Sequence, residues 1–338
     1  MPEFVDALLD APQQLMLWGT LLFGLLLGGL LQWSRLCLLR GLVHMRQGNS
    51  LKLKAFMLAM VFALCSTQLL GWYSGIDLTQ TIYVQDKPAL LSILLGGLLF
   101  GCGMALSNAC TGRSLVLAAS GNLRSLVTLL SLAIGAGLTL SGLLAEARIW
   151  LENLSRISLP LQQLPLSLGV LLAAGMLIFA LRGKELWQSK PDLIGSALVG
   201  VLIGVGWWLT GVVGYDEFEP TPLLSVSFVA PVFETQQYLL LFTGSKLNFA
   251  IVLVASVFAG ALLRALLAGE LVWEGFDSTA RLQRSLSGGM LMGVGGVLSL
   301  GCTYGQALSG FSTLAITSLV AIAGIIAGAW LTLVWQKT

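Results

Sequence analysis

A phrase of glycines ending in a cysteine occurs twice in this 338-residue chain. Gly96, Gly97, Gly101, Gly103, Leu106, Ser107 and Cys110 return as Gly288, Gly289, Gly293, Gly295, Leu298, Ser299 and Cys302, each pair 192 residues apart. Each copy is a short apolar stretch that breaks at its cysteine among turn-prone residues: Asn108, Ala109 and Gly112 at the first, Gly301 and Gly305 at the second. The repeat predicts two half-helices that enter a membrane and stop partway, each presenting a thiol, which is the pattern of a transporter core.

Composition says which solvent such a chain faces. It is 56% hydrophobic and 10% charged, with a mean hydropathy of +0.88. A soluble domain keeps about a quarter of its residues charged to cover its surface, whereas a chain in lipid needs charge only in its loops. The net charge of +2 comes without a basic run or an aromatic RNA-binding motif, so nucleic acid is not an expected partner. The first residues are acidic (Glu3, Asp6, Asp10) and no small-residue cleavage site follows the first apolar run, so no removable signal peptide is expected.

Nine long apolar segments can be read, at 15–33, 53–73, 90–109, 125–144, 164–181, 193–212, 247–268, 286–301 and 313–335. Most reach the ~20 residues that a spanning helix needs. The third and eighth are glycine-rich and are followed by short apolar pieces at 114–120 and 303–309, so they read as broken spans that must be shielded by protein. With the N-terminus outside, 14 of the 18 Lys and Arg residues fall on the cytoplasmic side, leaving Lys87, Arg148, Arg156 and Lys246 outside. That bias predicts N-out and C-in. The outer loop 213–246 carries Asp216, Glu217, Glu219 and Glu234, and its apolar stretch from Leu223 to Val232 is expected to fold back as a lid.

The expected fold is therefore an all-α integral membrane protein, a single transmembrane domain over 1–338. A first repeat at 15–144 and a second, inverted repeat at 193–335 flank a linker at 145–192 with a connecting helix. Equivalent segments then cross in opposite directions, and the short half-helices meet near the midplane, where such transporters hold their substrate. Gly24 and Gly28 match Gly200 and Gly204 at an offset of 176, which supports the same pairing for the first and sixth segments.

The five cysteines, Cys37, Cys65, Cys102, Cys110 and Cys302, include no CxxC pair, and the single histidine is His44 in a cytoplasmic loop. A zinc or iron–sulfur site is not expected, nor any other metal or cofactor. A lone buried cysteine usually just packs, and Cys65 in a plain apolar helix is read that way. Cys110 and Cys302 are read as functional because they hold equivalent positions at two helix breaks. Cys37 closes the first segment, has no counterpart in the second half, and fits a place at the cytoplasmic mouth and plain packing equally well, while Cys102, between Gly101 and Gly103, is a secondary candidate that serves packing equally well.

The half-helix starts at Thr111 and Gly112 and at Thr303 and Tyr304 offer free N–H groups and the positive end of a dipole, which favours an anion. No Asp or Glu lies clearly within a span to bind a coupling cation. A neutral thiol is a weak donor, better suited to a large, soft anion than to a strongly hydrated one. Together these features point to a sulfur-containing anion. Thiols that attacked the sulfur would instead make the protein a sulfur-transfer catalyst, but that needs thiolate, which apolar surroundings oppose.

At these residues the chain resembles the YeeE/YedE family of bacterial membrane proteins, whose characterised members take up thiosulfate. The resemblance is carried by Arg35-Leu36-Cys37, the phrase from Gly97 to Gly112, and Gly301-Cys302-Thr303-Tyr304-Gly305. The family usually has Gly before the first repeat's cysteine, where this chain has Ala109, and aromatic residues around the first cysteine, where it has Leu36 and Leu38.

The resemblance implies an inverted-repeat bundle pinched like an hourglass in the bacterial inner membrane. It also implies a path through Cys37, Cys110 and Cys302 that passes thiosulfate inward by S–H to sulfur contacts, without a covalent intermediate and without enzymatic turnover. The alternatives are another sulfur or selenium species as substrate, or a membrane-embedded sulfurtransferase or anchor for a cytosolic sulfur carrier. A sulfur-carrier or rhodanese-type protein is a candidate receiver. The basic stretch from Arg35 to Lys54 could dock such a partner if it is acidic, although an orientation signal accounts for the same charges.

Overall fold

In hydrocarbon each backbone N–H and C=O must find its partner inside the chain, and a helix does this locally. The computed structural model describes residues 12–158, 161–215, 222–244, 246–276 and 278–336, and among these it is helical with no strands. The acidic start of the chain, the loop acids Asp216, Glu217 and Glu219, and Lys337 lie outside the described residues. The helices are α1 (Pro12–Ser34), α2 (Leu38–Arg46), α3 (Leu51–Ser74), α4 (Leu90–Ser107), α5 (Thr111–Ala119), α6 (Leu123–Leu140) and α7 (Ala145–Ser155). They continue with α8 (Leu166–Leu181), α9 (Lys190–Trp208), α10 (Val229–Leu240), α11 (Phe249–Leu267), α12 (Thr279–Leu298) and α13 (Ile316–Trp335). A further helical segment at 303–312, partly π-helical over Gly305–Gly310, follows α12.

Seven helical stretches among the described residues are long and apolar enough to cross a membrane. Each of the nine apolar segments overlaps one of α1, α3, α4, α6, α8, α9, α11, α12 and α13, although α8 has only 16 residues. The outer surface is apolar, with Leu22, Leu26, Leu171 and Leu267 exposed, and Trp72 and Tyr73 project from the end of α3, Trp150 from the short α7 and Trp273 from the loop before α12. Apolar exposure on this scale, with aromatics near the ends of the spans, suits a lipid-facing perimeter.

Two stretches differ from expectation. The basic stretch after α1 is not simply a loop, because it holds α2, a short helix that starts at the buried Cys37 and carries His44 in its last turn. The segment from Leu223 to Val232 is more than a lid: Val226 and Phe228 are fully buried, and the Ser309 Oγ donates to the Val226 carbonyl at 2.8 Å. It enters the interior and turns into α10.

Helices in lipid gain little from mutual apolar burial, so close backbone approach must supply their packing, and small residues permit it. The repeated glycines sit where that approach occurs. Gly97 and Gly101 of α4 lie against the α13 backbone at Ala321 and Ile325, while Gly289 and Gly293 of α12 lie against the α6 backbone at Thr128 and Leu132. Gly24 and Gly28 of α1 meet α11, and Gly200 and Gly204 of α9 meet α3. A Cβ at any of these positions would overlap its neighbour. At the centre α4 crosses α12 through Gly96, Gly103, Gly288 and Gly295.

Charge gathers on one face. Lys52 pairs with Asp192 at 2.6 Å, Lys54 with Glu185 at 3.2 Å, Arg35 with Glu270 at 3.3 Å and Arg124 with Glu274 at 3.7 Å. The opposite face carries Arg148, paired with Glu152 at 3.3 Å, and Glu234, which accepts from Asn248 at 2.8 Å.

Candidate functional site

All three principal cysteines stand at the start of a short helix. The Cys37 carbonyl accepts from Gly41 N–H at 3.1 Å, that of Cys110 from Ser114 N–H at 2.8 Å, and that of Cys302 from Gln306 N–H at 2.8 Å. Two residues before each cysteine the backbone is left-handed at a non-glycine residue: φ is 51° at Arg35, 59° at Asn108 and 59° at Leu300. Such a conformation costs about 1–2 kcal/mol per residue, and its recurrence before three thiols marks a built turn. Each helix ends, turns back through the left-handed residue, and restarts with a cysteine at the cap.

The thiols are buried and two of them touch. Cys37 and Cys110 Sγ lie 3.9 Å apart, within reach of a weak S–H···S contact. The Cys302 Sγ accepts the Gly305 N–H at 3.4 Å, so this thiol caps its own helical segment. Between the Cys302 turn and the Cys37 turn stands Tyr304, whose hydroxyl donates to the Leu36 carbonyl at 2.6 Å. Its ring packs edge-on against Phe228 and Phe56, with centroids 5.6 and 6.4 Å away. Gly112 lies directly against the Tyr304 and Phe228 rings, where a Cβ would come within 2.8 and 2.9 Å of them. The Thr303 Oγ1 donates to the Met104 sulfur at 3.6 Å, whereas the buried Thr111 hydroxyl has no partner.

Cavities approach this centre from both faces. From the opposite face, one of about 210 Å³ is lined by Tyr83, Ser227, Leu300 and Gly301, next to Cys302. From the basic face, a larger one of about 560 Å³ reaches Asn108 and Ala109, next to Cys110, past Arg40, Arg124, Arg281 and Arg284. The broken-helix tips thus separate two vestibules.

The other cysteines stay apart from this cluster. The Cys102 Sγ donates to the Gly328 carbonyl at 3.5 Å, a contact between α4 and α13. Cys65 is exposed on the outside of α3, not packed inside as its apolar helix suggests. Sequence reasoning did not single out Ser227, which lies against Gly301 and Gly305 beside Cys302, or Phe228 at the start of α10. Pro231 in the first turn of α10 was the available signal for that helix start. Arg113, read only as an orientation charge, is 6% exposed and lies one turn beyond Cys110.

A polytopic helical chain with broken helices meeting between two vestibules has the build of a membrane transporter. The chain belongs to the sulphur transport (YeeE/YedE) family, whose profile matches residues 33–331. It is 26% identical over 343 aligned residues to the thiosulfate transporter TsuA of Spirochaeta thermophila, covering 95% of this chain and 98% of that protein. It is 23% identical over 340 residues to the thiosulfate transporter TsuA of Escherichia coli K12, covering 93% of each.

Proposed function

We propose that this protein carries thiosulfate across the bacterial inner membrane into the cell, along a path through Cys302, Cys110 and Cys37. The observation that carries the reading is the Cys37–Cys110 contact at 3.9 Å, formed by two thiols that begin helices from different parts of the chain. Thiosulfate has a soft terminal sulfur and a charged oxygen-bearing end. A thiol can donate S–H to the terminal sulfur, and the helix start beneath it favours the negative charge. Weak contacts suit a carrier, because a site that releases its cargo must not hold it tightly. On this reading the anion enters by the vestibule at Tyr83 and Ser227, meets Cys302, passes the Tyr304 and Phe228 rings, and reaches the Cys110 and Cys37 pair. No bond to sulfur forms or breaks, so the protein is a transporter and not an enzyme.

The two halves, 15–144 and 193–335, form an inverted repeat in this proposal, with 145–192 as the linker. The pairing of helices supports it. Exchanging α1, α3, α4, α5 and α6 for α9, α11, α12, the 303–312 segment and α13 turns the α4–α13 contact into α12–α6 and the α1–α11 contact into α9–α3. The basic face is then cytoplasmic, with the N-terminus outside and the C-terminus inside. A cytosolic sulfur-carrier or rhodanese-type protein would receive the anion there. Uptake of radiolabelled thiosulfate into proteoliposomes, with sulfate and selenite as competitors, tests the substrate. Saturable uptake that sulfate competes for weakly is the expected result, and no uptake by the folded protein overturns the proposal.

A further inference from the structure

Arg113 sits on α5 three residues after Cys110, so it follows on the same side of the helix, one turn deeper toward the basic face. It is 6% exposed, and its Nε and Nη1 have no hydrogen-bond partner. A buried guanidinium left uncompensated is costly, and native proteins pair such groups.

The acids that line a cavity with Arg113 are already engaged. This cavity, of about 200 Å³, is lined by Arg113 together with Gln32, Arg35, Glu270 and Glu274. Glu270 accepts from Gln32 at 2.9 Å and pairs with Arg35, while Glu274 pairs with Arg124 and accepts from Asn122. The guanidinium is therefore a buried cation facing a cavity in which the nearby carboxylates serve other partners.

We propose that Arg113 forms a binding site for the oxygen-bearing end of a small oxyanion as it leaves the cysteine pair for the basic face. This inference rests on the uptake reading and adds the polar half of the recognition: the thiols address the soft sulfur, and the guanidinium addresses the oxygens. Its planar fork matches two oxyanion oxygens at once, which a lysine ammonium cannot do.

The test compares wild type, Arg113→Lys and Arg113→Gln for thiosulfate uptake in proteoliposomes, and for thiosulfate and sulfate binding to the purified protein by calorimetry. Arg113→Gln is expected to raise the thiosulfate KM about tenfold to a hundredfold, the range of a charged hydrogen-bonding group, with Arg113→Lys in between. Uptake with a KM within about twofold of wild type in both variants overturns the site while leaving the transport reading intact. If Arg113→Gln does not elute as a folded species, Arg113→Lys carries the same test. If wild type transports no thiosulfate, oxyanion binding lost in the variants still supports the site, whereas binding that is absent in wild type or unchanged in the variants overturns it.

Discussion

Gly112→Ala probes the packing that keeps Tyr304 between the two cysteine turns. The new Cβ would lie 2.8 Å from Tyr304 Cε2 and 2.9 Å from Phe228 Cε2. Ordinary contact needs about 3.4 Å or more, so the Tyr304 ring must retreat by roughly 0.6 Å. It has little room, because Phe56 and Phe228 flank it and the ring is 1% exposed. The same retreat stretches the 2.6 Å bond to the Leu36 carbonyl toward the limit of a useful hydrogen bond and loosens the turn that presents Cys37. Overpacking of this kind costs about 1–3 kcal/mol. If that cost falls on the transport-competent arrangement, uptake drops roughly 5- to 150-fold. The assay is initial uptake of labelled thiosulfate into proteoliposomes, normalised to protein inserted. Gly175→Ala is the control, since a Cβ there meets nothing within 4 Å, and it should match wild type. Wild-type uptake by Gly112→Ala would refute the claim that Tyr304 is held tightly at the centre.

Other substitutions separate the contributions around this centre. Tyr304→Phe keeps the ring contacts but leaves the Leu36 carbonyl unpaired, at a cost of about 1–3 kcal/mol, and should lower uptake severalfold without changing insertion. Asp192→Ala removes the carboxylate that Lys52 and Ser189 hold at 2.6 and 2.7 Å. It should destabilise the α3–α9 junction by roughly 1.5–3 kcal/mol, the range for hydrogen bonds to a charged group, seen as earlier aggregation on heating in fluorescence-detected size exclusion. Cys65→Ser, on the outer surface of α3, should change stability by no more than about 0.5 kcal/mol and leave uptake as it is.

The glycine phrases made the two breaks legible because close backbone packing and a helix stop both demand small or turn-forming residues, and these leave a visible pattern. The α4 and α12 breaks fall at Asn108 and Leu300, 192 residues apart, both with φ of 59°. The matching turn before Cys37 was hidden, because its left-handed residue is Arg35 and nothing local announces that conformation. Cys65 departs from expectation for a related reason: when nearly every residue of a helix is apolar, no stripe distinguishes the face that packs from the face that meets lipid. Phe228 and Ser227 fall within the expected loop lid, and their place beside Cys302 depends on a segment more than 70 residues away in sequence folding inward. Arg113 carries a charge that also serves an orientation rule, and only burial distinguishes it from the exposed arginines of the same face.

The thiol path is tested most directly by labelled thiosulfate uptake in proteoliposomes of Cys37→Ser, Cys110→Ser and Cys302→Ser. Serine keeps a hydrogen-bond donor but removes the soft, nucleophilic sulfur. The path predicts reduced uptake at all three positions, to differing degrees, with no sulfur-transfer product formed by wild type. Complete loss at a single cysteine with the other two unaffected would contradict it in favour of a covalent enzyme, and uptake unchanged at all three would return these cysteines to packing.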